Sequence, residues 1–583
     1  MLLTPDAHRD SPLLLIEAGM TAIAIAAAYA WPHLGEGLFR RLEQAGAWLA
    51  RRRALAVLAV GLAALLLRLA VLPLYPVPHP FAPDDFSNLL AADTFAHGRL
   101  TNPTPELWTH FESIHIDMQP TYMSMYFPAQ GLAMAAGQAL SGCPWLGILA
   151  ASALFCAALC WMLQAWLPPG WALFGGMIAV VRLSLFSYWI NTYTGAGFLT
   201  GLGGALVLGA LPRLLRTARQ RDAVLMAAGA SLLALARPYE GLLLCLPVSV
   251  VLVRWVVSGE RRPPASVLLK RAVLPVAILI GALAWFGYYN YRAFGSPTTL
   301  PYTVNRATYA MAPYFVWQQP RPEPHYRHAV MRQFYYQSEL EAFQKTRGWA
   351  RFLPILLMKA AIALRFFAGM ALLVGLFGLR RALIDRRIRF LVVCLAVLIA
   401  GMAIEIYLIP HYLAPFTALF YAIGLQSMRH LRQWRIEGRD FGCALVRFAA
   451  VVCVLMAGLR LFAVPLGIQV GEWPAANWSG MWFGPEHFGQ ERAAIETQLE
   501  QMPGAQLVLV RYGAVHNPLD EWVYNASDIR DSKVIWARAM SADEDRALAR
   551  CYAGRTLWLV EPDQIPARIT PYTGAANGQA APR

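Results

Sequence analysis

Charge is what this chain lacks most. Only 15% of its 583 residues are Asp, Glu, Lys or Arg, where soluble chains carry about a quarter. Such a deficit excludes a string of ordinary water-soluble domains, and the 57% share of hydrophobic residues points the same way. Cysteine is sparse as well: there are eight and no CxxC pair, so no zinc-ribbon or redox motif is available. Cys156, Cys160, Cys245, Cys394 and Cys453 lie in apolar runs, where a thiol packs as a small hydrophobe. Cys551 is alone in the C-terminal tail, and no disulfide is expected there. The tail also has no GxGxxG loop and no nucleophile triad, and no repeat of matching halves runs through the chain. The first apolar run, Leu13 to Trp31, lacks a basic n-region and a convincing cleavage site, so it is expected to be a retained span.

Long apolar runs are what the chain has in abundance. Runs of roughly 18 residues or more recur, each long enough to cross a hydrocarbon core of about 30 Å. In lipid they must be helical, because only a helix satisfies its own backbone polar groups within one segment. The net charge of +15 would suit nucleic acid, but its placement does not. Lys and Arg gather in short connectors, Arg40 to Arg53, Arg213 to Arg221, Arg254 to Arg271, Arg380 to Arg389 and Arg429 to Arg439, as the positive-inside rule requires of cytoplasmic loops. Nucleic acid is therefore not expected as a partner. With those connectors inside, the long loops 75–130 and 291–349, and everything after Val464, fall outside.

The expected architecture is an all-α polytopic membrane protein of about twelve transmembrane helices over residues 1–464, followed by a small α/β extracytoplasmic domain over 465–583. The spans are drawn at about 12–31, 54–74, 145–166, 170–189, 195–212, 222–236, 240–257, 272–290, 350–378, 388–408, 412–428 and 443–463, with Gly131 to Leu140 a short helix at the outer surface. In the tail, Glu486 to Gln501 reads as an amphipathic helix. Gln506 to Tyr512, Lys533 to Ala537 and Thr556 to Val560 read as strands, and Ala542 to Tyr552 as a helix. From Thr570 the Gly-, Ala- and Pro-rich end reads as disordered.

Ionisable groups inside spans are costly and mark functional sites by default. Arg68, Arg182, Arg237, Glu240, Lys359, Arg365, Glu405 and His411 lie in spans or at their ends, nearly all in the outer half by this topology. Pairing between neighbours, such as Arg237 with Glu240 one turn on, is the structural alternative. The first long loop opens with Ala82-Pro83-Asp84-Asp85-Phe86-Ser87 and runs into a helical pattern ending at Gly98. Adjacent acids at a helix start can be catalytic, or can simply complement the helix dipole and cap free amides. Further on, His110, Glu112 and His115 have a spacing that could ligate a metal, although a further ligand at a standard spacing is missing.

An acidic pair opening an outer loop, a helix ending in Gly and a Tyr/Pro motif leading back to the membrane resemble the GT-C glycosyltransferases. The segments PDDFSNLLAADTFAHGRLTNPT, PTYMSMYFPAQGL, ARPYEG, YYNYRAFGSPTTLPY, PHYLAP and EWVYNASDIRDSKVIWAR are similar to bacterial membrane proteins grouped with the family 39-like glycosyltransferases. That family includes protein O-mannosyltransferases and aminoarabinose transferases.

The resemblance implies a hexosyl- or pentosyltransferase of the cytoplasmic (inner) membrane, using a polyprenyl-phosphate-linked sugar on the extracytoplasmic side. A glycan, lipid or protein would be the acceptor and membrane lipid a further partner. It implies Asp84 as catalytic base, with Asp85 beside it where many relatives carry Glu. The Lys that precedes the Pro pair of aminoarabinose transferases is absent around Tyr126, so phosphate binding would fall to arginines. Arg237, Arg292 and Arg182 are the candidates, with Tyr239, Glu240, His411, Tyr412 and Tyr126 lining the pocket. No cofactor is required, although a divalent metal could assist. A transporter or flippase of lipid-linked saccharides, or a cell-surface glycan polymerase or ligase, would use many of the same features.

Overall fold

The computed structural model describes residues 12–258, 262–463, 465–468 and 489–572. The joint between membrane region and tail, and the end of the chain from residue 573, lie outside the described residues. So does the start of the helix expected from Glu486.

Seven described helices are long and apolar enough to cross a membrane: Leu13–Ala30, Arg53–Ala70, Trp145–Trp166, Gly197–Thr217, Pro238–Ser258, Ala265–Phe294 and Phe441–Leu461. An eighth span is available if Ala350–Phe367 and Ala371–Leu383 count as one, although they meet at a bend of 117°. The twelve segments drawn from sequence are helical over most of their length, but the number able to span alone is smaller. Pro169–Leu185 and Arg389–Ile404 are apolar but short. Gln220–Ala236 and Thr417–Leu431 have 17 and 15 residues, or about 22–26 Å of rise.

Two breaks carry the explanation. Residues 350–378, drawn as one span, turn at Gly369, whose φ of +61° is left-handed. A Cβ there would stand 2.6 Å from both Arg182 Nη2 and Glu17 Oε1, so the bend is packed against a buried charge pair. The segment drawn as 412–428 instead begins with a tight helical turn, Pro410–Phe416, in which Pro415 interrupts regular bonding before Thr417–Leu431 continues. That turn lies against Gly197–Thr217, where a Cβ on Gly204 would sit 1.8 Å from the carbonyl oxygen of Pro415.

The first long loop is a folded unit. It contains the helix Pro83–Ala96 and a three-stranded antiparallel sheet with Thr121–Ser124 between Asn102–Pro103 and Ile116–Asp117. The helix expected near Gly131 runs from Pro128 to Ser141 and packs on Pro83–Ala96, with Gly131 directly over Ala91. The second long loop holds Pro301–Tyr309 and a helical stretch over 329–346 with a wide turn at Gln333–Leu340. An amphipathic helix, Glu36–Arg51, not expected from sequence, joins the first two spans.

In the tail, Gln506–Val510 lies between Val534–Arg538 and Thr556–Glu561, all parallel, and Arg568–Pro571 adds an antiparallel edge. Over the described residues the expected disorder does not begin at Thr570, since Thr570 pairs with Leu559 and Ile569 with Val560, and the rest of that end, from residue 573, lies outside the described residues. The helices Gln490–Gln501 and Ala542–Cys551 complete the unit, the second with a capping box between Ser541 and Glu544. Its core is continuous with the first loop, because Leu507, Leu509, Ile535 and Ala537 share a buried cluster with Phe111, Ile116, Met118 and Tyr122.

Gly204→Ala is expected to push the Pro410–Phe416 turn away from its seat, since the obstructing atom is backbone and cannot rotate aside. Overpacking of this kind costs about 1–3 kcal/mol, read as a lowered Tm of the detergent-solubilised protein. The same substitution at Gly424, which has open space around its Cβ position, is the control and should leave Tm unchanged.

Candidate active site

The site begins at the helix Pro83–Ala96. Pro83 occupies the first helical position, where its missing N–H costs nothing and its φ is already helical. Asp85, two residues on, receives the amides of Phe81 and Ala82 at 3.4 and 3.5 Å, the acidic half of a capping box. Its other oxygen accepts the Tyr193 amide at 2.9 Å and the Thr194 hydroxyl at 2.6 Å. Asp85 is wholly buried and ties the first loop to the chain that follows Pro169–Leu185. Burial pushes its carboxyl up to about 6, against the opposing bonds from Thr194, Tyr193 and Phe81.

Successive side chains on a helix diverge by about 100°, so Asp84 points elsewhere. Its Oδ1 lies 2.5 Å from His115 Nδ1 and accepts the Tyr126 hydroxyl at 2.6 Å. Among the described residues, Oδ2 takes no protein donor. Burial alone would raise the Asp84 carboxyl. The His115 charge and bond, the Tyr126 hydroxyl and the field of Arg237 outweigh it and hold the group below the usual carboxylate range.

His115 is itself fixed by the fold. Its φ is +65°, a conformation that costs a non-glycine residue about 1–2 kcal/mol. The Ser87 hydroxyl bonds its carbonyl at 2.6 Å, and its ring packs edge-on against Phe334 of the second loop and against Tyr126. Behind it, Asn305 bridges the Ile116 carbonyl and Asp117, and receives the Tyr335 hydroxyl.

Arg237 stands at the junction of Gln220–Ala236 and Pro238–Ser258. It pairs with Glu240 at 3.0 Å and lies 4.0 Å above the ring of Tyr412. Tyr126, Tyr302 and Tyr412 fall within one another's electrostatic reach and within that of Asp84 or Arg237. Tyr302 stacks on Tyr314, which lies under Arg306. Arg306 holds both oxygens of Glu339 at 2.7 Å and the Ala312 carbonyl at 2.5 Å, so the second loop is cross-braced over the site. His411 is held from below by the Tyr188 hydroxyl at 2.8 Å. Tyr239 bonds the Gly401 carbonyl at 2.9 Å and packs on Phe315 at the border of the cluster.

The structure therefore brings Asp84, Tyr126, Arg237, Glu240, His411 and Tyr412 into one neighbourhood, with Asp85 behind it and Tyr239 at its edge. Two expected phosphate ligands lie elsewhere. Arg292 is exposed and bonds the Tyr288 hydroxyl one turn back along its own helix, at 3.0 Å. Arg182 is buried, 3.5 Å from Glu17, and bonds the carbonyls of Arg365 and Phe366. It secures the Gly369 bend. Arg68 likewise bonds Tyr75, Pro76 and Asn191.

The trio His110, Glu112 and His115 does not converge either. His110 bonds the Arg538 carbonyl, Glu112 takes Tyr309 and Arg327, and His115 goes to Asp84. Among the described residues no three His, Cys, Asp or Glu side chains are grouped to hold a metal ion.

Sequence reasoning missed the second loop's contribution: Tyr302, Arg306, Tyr314, Phe334 and Glu339. The aromatic density of YYNYRAFGSPTTLPY was visible, but Arg306 and Glu339 are 33 positions apart and nothing local couples them. It also missed the role of Arg538. Its guanidinium pairs with Glu521 at 2.7 Å and bonds the Glu112 carbonyl at 2.5 Å. The Ser113 and Tyr512 hydroxyls and the amides of Trp522 and Val523 also donate to Glu521. This buried knot fastens the tail domain to the stretch that leads into His115.

In class, the molecule is a polytopic helical membrane protein with a polar site under two folded loops. No protein-family model matches the chain, and no curated protein matches it. Among solved structures it is similar in outline to the apo oligosaccharyltransferase of Archaeoglobus fulgidus, with a TM-score of 0.48 at 10% identity over 87% of this chain and 69% of that one. The same organism's AglB, solved with an inhibitory peptide and a dolichol-phosphate, gives 0.45 at 11%, over 88% and 70%. ArnT from Cupriavidus metallidurans in the apo state gives 0.45 at 13%, over 85% and 92%. At these values the likeness is one of outline, and what the site can do rests on this chain's own residues.

Replacing Arg538 by Met would leave the Glu521 carboxylate buried without its cation. Breaking a buried pair in this way costs about 3–5 kcal/mol. The expected result is release of the tail domain, seen as faster limited proteolysis between residues 489 and 572, with the membrane region still intact.

Proposed function

We propose that this chain is a GT-C-type membrane glycosyltransferase that moves a sugar from a polyprenyl-phosphate donor to a hydroxyl acceptor on the extracytoplasmic side of the membrane. The observation that carries the reading is Asp84. Its carboxyl is held below the usual range, one oxygen is committed to His115 and Tyr126, the other takes no donor among the described residues, and the buried Arg237 lies within electrostatic reach.

A single displacement at the anomeric carbon needs a base for the acceptor proton. Asp84 Oδ2 takes that proton as the acceptor oxygen attacks. The bond from the anomeric carbon to the phosphate oxygen breaks, and its electron pair leaves with the lipid phosphate. Attack opposite the leaving group inverts the configuration. Arg237 meets the negative charge that develops on the departing phosphate, where a preorganised cation sheltered from water is worth most. Glu240 takes part of one face of its fork, and Tyr412 supports the plane, so the remaining N–H groups are aimed and not free to wander. Tyr126, Tyr302 and Tyr314 offer hydroxyls and flat faces for a sugar.

His115 and Tyr126 orient the base and keep it ionised. Asp85 positions it by anchoring the helix start. The aromatic and charged braces of the second loop stiffen the segment that packs against His115. Sugar class, carrier length and acceptor are set by a few hydrogen bonds at the site.

Asp84→Asn is expected to lower turnover by about 10²–10⁴, the range for loss of a general base. The assay is consumption of a panel of polyprenyl-phosphate hexose and pentose donors by the detergent-solubilised protein; undiminished turnover in folded Asp84→Asn protein removes Asp84 from the mechanism. Arg237→Gln should cost about 10²–10³, and Arg237→Lys less. The acid limb of the pH–rate profile should lie at or below the ordinary carboxylate range, because the Asp84 carboxyl is held down. His115→Gln deletes the charge that opposes desolvation, so the carboxyl rises and the acid limb should move to higher pH. An acid limb that stays in place would assign it to another group.

A further inference from the structure

Away from the Asp84 cluster, one helix carries an apolar stripe that the chain itself leaves uncovered. Glu36–Arg51 joins the first two spans. It lies at the membrane face opposite Asp84, because the span Arg53–Ala70 starts beside it and ends at the first long loop. One flank of the helix is packed. The Phe39 ring meets Phe448 at 6.2 Å, Glu43 receives Arg432 and Arg447 at 2.9–3.1 Å, and Ala50 is buried. Leu38, Leu42 and Ala45 turn away from that flank and fall at i, i+4 and i+7, a single stripe on a helix. Leu38 and Leu42 are 63% and 60% exposed, and Trp48 at the edge of the stripe is 52% exposed. Exposed apolar residues also flank the helix in the chain, Trp31 and Leu34 before it and Leu55 and Leu58 in the span after it.

Cations border the stripe. Arg40, Arg41, Arg51, Arg52 and Arg53 are all exposed, and the guanidinium of Arg52 lies 3.8 Å over the Trp48 ring. Both acids of the helix are already engaged, Glu36 by Arg40 and Glu43 by Arg432 and Arg447. The uncovered side is therefore positive. A helix with large apolar side chains on one side and arginines on the other suits the plane of a lipid interface. A second copy of the chain docked on the same stripe sets arginine against arginine, which is repulsive. Anionic headgroups match the charge.

We propose that Glu36–Arg51 lies in the surface of the leaflet on this side of the membrane and binds anionic phospholipid there. Leu38, Leu42 and Trp48 sit among the upper parts of the acyl chains. Arg41, one turn from both Leu38 and Ala45, and Arg52 extend from the border of the stripe to headgroup phosphates, as long cationic side chains do at an interface. Stacking on Trp48 holds Arg52 in place. Negative lipid in that leaflet strengthens the attraction for each arginine near the surface. The assignment stands on this helix alone and is independent of the proposed transfer chemistry.

The test places a benzophenone amino acid at position 38 of the full chain, reconstituted in nanodiscs of phosphatidylcholine and phosphatidylglycerol in equal parts. Photo-adducts are read by mass spectrometry. Adducts to lipid are expected, with phosphatidylglycerol exceeding phosphatidylcholine about fivefold or more. The same probe at position 44, where Gln44 is exposed on the polar side, should give few. Arg41→Gln together with Arg52→Gln should lower the lipid ratio at least about threefold, with Tm in detergent unchanged. Equal labelling of the two lipids, equal yields from positions 38 and 44, or adducts chiefly to a second copy of the chain each overturn the proposal, and none of these depends on the arginine variant folding. A ratio unchanged in the folded double variant overturns it as well.

Discussion

Two adjacent carboxylates at the start of one helix cannot face the same way, and the rest of the site depends on how they are separated. Asp85 turns inward and is consumed by the amides of Phe81, Ala82 and Tyr193 and the hydroxyl of Thr194. That anchoring fixes the pitch and rotation of Pro83–Ala96, and so decides where Asp84 points. Asp84 then meets His115 and Tyr126 on one oxygen, and its other oxygen takes no donor among the described residues. The capping reading and the catalytic reading of the acidic pair were posed as alternatives. In the structure the capping role falls to Asp85 alone, and Asp84 points elsewhere, because a helix sends neighbours to different sides.

The surrounding architecture is a set of braces on that geometry. His115 holds a left-handed backbone conformation only because its carbonyl, its ring and the residues after it are all engaged, by Ser87, Phe334 and Asn305. The second loop is cross-linked by Arg306 and Glu339. The tail domain contributes Arg538 and Glu521, a buried pair with contacts to Glu112 and Ser113, and it shares an apolar core with the first loop. A domain that looked separable in composition is thus part of the site's support. Its parallel strands end where loop residues 110–113 dock, at the edge where open α/β sheets commonly take ligands.

How much of this was legible beforehand varies by residue. Asp84, Tyr126, Arg237 and Tyr412 were all named from local pattern and resemblance, and they gather in one place. Glu240 was also named, with its pairing to Arg237 as the structural alternative, and both descriptions fit the geometry at 3.0 Å. Arg292, near the outer end of a span, and Arg182, deeper in one, were both candidates as phosphate ligands. They differ in the face they present: Arg292 follows its own helix surface to Tyr288, and Arg182 is consumed by Glu17 and the bend at Gly369. His115 was visible only as one third of a metal spacing, because its partner lies 31 positions upstream on another element.

By itself the sequence determined the solvent. An excess of apolar runs over charge admits no stable arrangement in water, and a helix in lipid must satisfy its own backbone. It also determined the local start of the loop helix and the alternation of strands and helices in the tail, since both depend on neighbours a few residues apart. Tertiary structure decided which cation faces the carboxylate, which segments are long enough to cross and where they bend. It also decided that the first loop packs on the tail domain and that the second loop packs on His115 beside Asp84. Those outcomes depend on which faces pack together across tens or hundreds of positions, and no local pattern encodes that choice.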